Sequence, residues 1–563
     1  MAAQRPQLAW LGLWQQLRQG HWTPWTGVVI LVAGLTALPV LVVLSSLLIN
    51  SSAVWSHLAA TVLPLYIRNS LWLMLGVGLG VSVIGVSTAW LVTLCRFPGR
   101  KLLEWALLLP LAAPAYLLAY TYTDFLDYFG PVQTLLRHLF GWQSAADYWF
   151  PSVRSLGGAV IMFSLTLYPY VYLLARVAFL EQSICMLEAS RSLGCGPWRS
   201  FWAVALPLAR PAIATGVSLA LMETLNDFGT VQYFSVPTFT TGIYRTWLNL
   251  GDRPAAAQLA AVLLLFILVL ILLERGSRRQ ARYYQTVSRY QVLSAYSLEG
   301  SRALAAFLVC SLPIGLGLIV PSVVLLKMTL TRLQTVLTQD FWALAYHSAL
   351  LAVLTAGIAV AVSLVLAYGL RLQGNPVMRL GVRIASMGYA VPGSVIAVGI
   401  LLPVTQLDNA ISNWLRTTLG ISVGLLISGT IIALIFAYWV RFLAVSLGAI
   451  ESGLEQIRPS LDEASRSLGY TPAQTLQKVH APLMSGSLLT ALMLVFVDVM
   501  KELPATLVMR PFNFDTLAIR VYQYAEDERL IEAAAPALAI VLVGLLPVIS
   551  LSWQIAKSRQ RSS

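Results

Sequence analysis

Long apolar runs separated by short charged stretches recur along the whole chain. Twelve approach the roughly 20 residues that an α-helix needs to cross a hydrocarbon core: 28–49, 70–94, 102–122, 156–180, 208–226, 256–273, 303–327, 346–370, 382–403, 424–447, 483–501 and 533–553. The first, about Val28–Leu48, is too long for the apolar core of a signal peptide and reads as a retained anchor. Pro110, Pro114, Pro392 and Gly393 fall inside these runs. Neighbouring helices can satisfy the backbone groups that such residues free, so they do not rule these spans out. The pattern predicts an all-α integral membrane protein of about twelve transmembrane helices.

Composition agrees, with 58% of the 563 residues hydrophobic and 11% charged, against about 25% charged in soluble domains. The net charge of +13 does not point to nucleic acid, because the basic residues gather in alternate loops. One set of loops holds Arg96, Arg100, Lys101, Arg191, Arg199, Arg210, Arg371, Arg379 and Arg383; the C-terminal tail adds Lys557, Arg559 and Arg561. The opposite loops are richer in acids such as Asp124, Asp127, Asp147, Asp252 and Asp408. With the basic loops inside, an even helix count puts both termini on the cytoplasmic side.

A repeat organises the chain. EASRSLG occurs at Glu188–Gly194 and again at Glu463–Gly469, 275 positions apart, followed at equal distance by Pro207 and Pro482. Glu223, Asp227 and Arg245 correspond at the same offset to Asp498, Glu502 and Arg520. The arginine-rich stretch 282–302 then joins two halves, 1–281 and 303–563. Each half has six helices, so both enter the membrane in the same direction, as parallel repeats do. In each half the repeated segment (187–207 and 462–482) lies between the fourth and fifth helices. It reads as a short helix closed at Gly194 or Gly469, then a second helix opened by Pro197 or Pro472.

E-A-x-x-x-x-G followed by a hydrophobic residue and proline resembles the EAA loop of ABC importer permeases, the binding-protein-dependent inner-membrane components. Glu188, Ala189, Gly194, Val204 and Pro207 match in the first half, and Glu463, Ala464, Gly469, Val479 and Pro482 in the second. The family's third position is usually alanine; here Ser190 and Ser465 stand there. The resemblance implies the type I importer transmembrane fold and a coupling helix in each half that docks on a cytoplasmic ATPase subunit. No G-x-x-x-x-G-K-[ST] sequence is present, so ATP and Mg are expected on two copies of a separate ATPase, with no cofactor in this chain and no enzymatic activity of its own. ATP-driven closure of those subunits is expected to rock the two halves in alternating access.

The stretch Met500–Leu507, followed by Arg510–Leu517, and Asn226–Gly229 with Tyr233 and Phe234 are similar to bacterial ferric-iron ABC permeases. That group implies Fe3+ delivered by a periplasmic or lipid-anchored binding protein. Thiamine, polyamine, sulfate and molybdate permeases share the architecture and remain alternatives. Glu223 with Asp227, and Asp498 with Glu502, are acids one helical turn apart, candidates for a substrate path, with Tyr116, Tyr120, Tyr122 and Tyr389 nearby. Carboxylates and phenolates suit hard cations. The alternative is that the acids satisfy Lys501, Arg245, Arg520 or loop backbone groups. No metal site is assigned: the four cysteines show no ligand spacing and the five histidines are scattered. A secondary transporter would leave the charged repeat unexplained, and a membrane enzyme would need a nucleophile–base pairing that the sequence does not offer.

Overall fold

The computed structural model describes residues 24–48, 53–181, 190, 194, 196–279, 296–333, 337–422 and 424–562. Among them ten helices are long and apolar enough to cross a membrane, running from Pro24–Leu48 to Leu530–Ser550. Two further pairs are bent, Arg100–Ala112 with Ala115–Phe140 by 90° and Pro472–Leu483 with Ser485–Met500 by 78°. Counting each bent pair as one span gives twelve.

Two expected spans are not continuous. Pro114 stands between a 3-10 turn at Leu109–Ala112 and the helix Ala115–Leu126, with φ −59° and ψ 146°. Pro392 stands between a 3-10 turn at Ser386–Ala390 and the helix Gly393–Leu419, with φ −56° and ψ 143°. Each proline lacks an N–H and holds an extended ψ, so the incoming helix stops and a new one starts from its carbonyl. Leu117 N donates to Pro114 O at 3.1 Å, and Ile396 N to Pro392 O at 3.0 Å. The expected ninth span, 382–403, therefore begins later and reaches Leu419, where Gly420 closes it at φ +68°. The matched conformation of two prolines 278 positions apart is the duplication expressed in backbone.

The chain forms two compact units, and neither follows the sequence repeat. One contains residues up to Leu48, Ser348–Met500 and Val508–Phe514; the other contains Ile49–His347, Lys501–Leu507 and Asp515–Ser563. In the first unit the helix Pro24–Ser45 packs on Pro376–Ala385 and Gly393–Leu419. Backbones approach closely there: a Cβ on Gly399 would lie 2.3 Å from Pro39 O. In the second unit Leu63–Leu94 packs along Leu156–Glu181, with Gly85 pressed against the Tyr168–Tyr172 backbone. The helices Gly300–Ile314, Val320–Thr331 and Leu530–Ser562 join that unit too, and Tyr122 Oη donates to Leu316 O at 2.6 Å.

Candidate functional site

The second repeated segment is described throughout. Its first helix, Pro459–Ser467, ends in a Schellman arrangement: Gly469 N donates to Arg466 O at 3.0 Å and Tyr470 N to Ser465 O at 3.1 Å. Gly469 takes φ +78°. Thr471 then caps the next helix in a reciprocal box with Gln474, and Pro472 fills its first position. The helix widens into a π turn at Leu476–His480 before Ala481–Leu483. Glu463, Ala464, Gly469 and Pro482 are exposed, while Val479 is half-buried. Leu468 is also exposed, an apolar side chain on the outer surface of the bend.

Residues far away in sequence hold this segment. Asp462 accepts from Arg371 Nε at 3.0 Å and Nη2 at 2.7 Å; Arg371 also donates to the carbonyls of Leu454 and Ile457. His480, fully buried, places Nε2 3.0 Å from Asp462 Oδ1. Tyr368 Oη donates to Pro472 O at 2.8 Å and its ring meets His480 edge-on. Sequence reasoning used Arg371 only as a topological charge and did not find this network.

In the first copy Glu188 and Ala189 lie outside the described residues. Gly194 takes φ +77° and is exposed. The helix Pro197–Ser200 leads into a π turn at Phe201–Ala205, 275 positions before its counterpart, and then into Leu206–Asn226. Val204 is half-buried and Pro207 exposed.

The four candidate acids divide between the units: Asp498 lies in the first, and Glu223, Asp227 and Glu502 in the second. Asp227 accepts from Thr230 N at 2.8 Å, Thr230 Oγ1 at 3.1 Å and Val231 N at 3.3 Å. Glu502 Oε1 accepts from Ala505 N at 3.1 Å. Both therefore cap short helices, Gly229–Tyr233 and Pro504–Met509, at equivalent repeat positions. Backbone N–H groups in the first turns of these helices are thus partners of Asp227 and Glu502. Arg520 pairs instead with Asp515 at 3.0 Å. Half-buried Glu223 and Asp498 sit one turn back on their helices.

Tyr116 is buried between the two capped turns, its Oη 3.4 Å from Lys501 O, and both Asp227 and Glu502 act on it electrostatically. Its ring lies 5.8 Å from that of Tyr120, which meets Tyr233 at 4.6 Å. Tyr122 is turned away to Leu316, and Tyr389 belongs to the other unit. Tyr233 carried part of the ferric-permease resemblance but was not among the substrate-path candidates, and nothing local marks its neighbour Arg154. Arg154 places its guanidinium 4.8 Å over the Tyr233 ring. It also lines a cavity of about 480 Å³ with Thr123, Asp127, Tyr128, Gln133 and Tyr148. On the loop beside it, the backbone N–H groups of Ser144 and Gln143 hold the Asp147 carboxyl below its ordinary range. Among the described residues no group of three or more His, Cys, Asp and Glu side chains is placed to hold a metal ion.

A polytopic helical protein with a duplicated segment that carries a left-handed glycine at the same place in both copies fits the class of membrane permeases. The chain belongs to the family of binding-protein-dependent transport system inner membrane components, which matches residues 9–282 and 359–561. It is an ABC transporter permease of the type I importer fold, a transport component of the inner membrane. It is similar to Fe(3+)-transport system permease protein FbpB 2 of Haemophilus influenzae, 25% identical over 86% of this chain and 88% of that protein. Ferric transport system permease protein FbpB of Actinobacillus pleuropneumoniae is 24% identical, over 88% of this chain and 71% of the relative. Molybdenum transport system permease protein ModB of Escherichia coli is 28% identical over 35% of this chain and 86% of its own length.

Proposed function

We propose that the chain forms the translocation path for ferric iron in an ATP-driven importer. A periplasmic or lipid-anchored binding protein delivers the ion. Two copies of a cytoplasmic ATPase, which hold ATP and Mg, drive the chain through the coupling segments 187–207 and 462–482. Both termini face the cytoplasm, and halves 1–281 and 303–563 are joined by the basic linker 282–302. The observation that carries the substrate is the span of the likeness: the ferric permeases align across both halves, whereas the molybdenum permease aligns with about one third of the chain. Gly194 and Gly469 support the coupling role, since both take the same left-handed conformation at equivalent repeat positions.

The test is uptake by cells expressing the permease with its ATPase and binding protein, supplied with radiolabelled Fe3+, molybdate or sulfate. Iron uptake that stops when the ATPase is inactivated is expected. Uptake of an oxyanion without iron favours the second reading, a molybdate or sulfate permease of the same class.

A further inference from the structure

The Tyr120 hydroxyl is buried, with the residue 3% exposed, and has no hydrogen-bond partner among the described residues. Phenylalanine would fill the same space without stranding a polar group, so the hydroxyl calls for a partner that arrives in another conformation. Its surroundings are rich in oxygen. The Tyr233 ring is 4.6 Å away and Tyr116 5.8 Å, while Asp227 and Tyr522 are near enough to act on it electrostatically. Asp227 uses only part of its acceptor capacity on Thr230 and Val231.

Tyr233 connects this buried cluster to the cavity of about 480 Å³. Two of the cavity's lining residues reach it: Thr123 acts on its phenol, and Arg154 Nη2 donates to Oη at 3.3 Å. The Arg154 guanidinium thus sits where an incoming cation would first meet a phenol oxygen. It is held loosely: its side chain is 45% exposed and its ion pair with the exposed Glu528 is 3.6 Å long.

We propose that Tyr120, Tyr233 and Asp227 form a transient oxygen-donor site for the transported trivalent cation, reached from the cavity once Arg154 leaves the Tyr233 ring. The inference rests on the ferric reading above. Binding replaces the O–H bond of each phenol by an O–metal bond and releases one proton per phenol to water; Asp227 contributes a carboxylate oxygen. On release each O–metal bond breaks, each phenolate takes a proton back from water, and Arg154 returns to Tyr233, restoring the closed arrangement.

The experiment uses the complete importer, permease with ATPase and binding protein. Uptake of radiolabelled Fe3+ is measured in liposomes. The visible phenolate-to-iron charge-transfer absorption is measured on the solubilised complex with ferric citrate. Tyr120→Phe and Tyr233→Phe are each expected to lower uptake about tenfold or more and to weaken the absorption. Tyr120→Phe should do so with an unchanged or higher melting temperature, because it removes an unpartnered hydroxyl. Uptake by Tyr120→Phe at the wild-type rate overturns the site while the ferric reading stands. So does an absorption absent from the wild type or unchanged in both variants. A wild-type importer that carries molybdate or sulfate but not iron overturns the ferric reading, and the site with it.

Discussion

A Cβ on Gly469 would meet no atom within 4 Å, and the same holds at Gly194. Any cost of a side chain there is therefore a cost of backbone conformation alone, about 1–2 kcal/mol in the left-handed region and more for a β-branched residue. Gly469→Val is expected to depopulate the bend and lower uptake roughly 5- to 30-fold, the population change that such an energy implies. Gly469→Asn, which tolerates this region, should keep most of the activity. Equal uptake by glycine and valine proteins would separate the bend from transport. The carboxylates need a different comparison, since in Asp227 and Glu502 any ion contact would be superposed on the capping role that the structure shows. Alanine at Asp227 removes the cap, at about 1 kcal/mol, whereas asparagine keeps an acceptor and removes only the charge. Replacing Glu223, Asp227, Asp498 and Glu502 together by Asn or Gln is expected to abolish uptake while assembly and basal ATP hydrolysis persist. Unchanged uptake would leave capping as their whole role. Glycine, proline and threonine signals act within a few residues, which is why Gly469, Pro472 and the surrounding bend were legible from sequence. The unpartnered Tyr120 hydroxyl was not, because a missing partner is visible only once every neighbour is placed.

Whole elements show the same limit at longer range. The apolar runs located the spans, but composition alone did not say where Pro114 and Pro392 would interrupt them. Whether a proline kinks a helix or ends it depends on what its neighbours offer the freed carbonyls. The anchoring of the second repeated segment was also invisible, because Arg371 and Asp462 are 91 residues apart. Its mechanical consequence is specific: Arg371 fastens both the end of Ile431–Glu455 and the start of Pro459–Ser467, so force on the exposed bend passes into a spanning helix. Breaking this mostly buried pair with Arg371→Ala leaves Asp462 with His480 as its remaining side-chain partner and is expected to cost about 3 kcal/mol. Hydrogen exchange should then rise across 455–483 and stay at the wild-type rate in Leu63–Leu94, which lies in the other unit. Protection that is unchanged in 455–483 would mean that the π turn and its capping box hold the segment unaided.

Across the whole molecule, sequence repeat and packing unit are different divisions of the same chain. Helix Pro24–Ser45 precedes the first repeat segment but packs within the unit built from Ser348–Met500. Conversely, Gly300–Thr331 and Leu530–Ser550 follow the basic linker but belong with the helices of Ile49–His347. Repeats can be read from sequence because they are copies; exchange of a helix leaves the apolar pattern of that helix unchanged, so periodicity carries no trace of it. The exchange has a consequence that can be measured. Cutting the chain between residues 290 and 291 yields one fragment that lacks most of the first unit and another that lacks most of the second. Each is left with apolar helix faces, including the Pro39 and Gly399 surfaces, that have lost the element fitted to them. Expressed singly, both fragments are expected to be rapidly degraded by protease; expressed together, they should assemble and recover transport. A fragment that resists protease alone would show that its helices pack by sequence half, and the two compact units would have to be redrawn along the repeat.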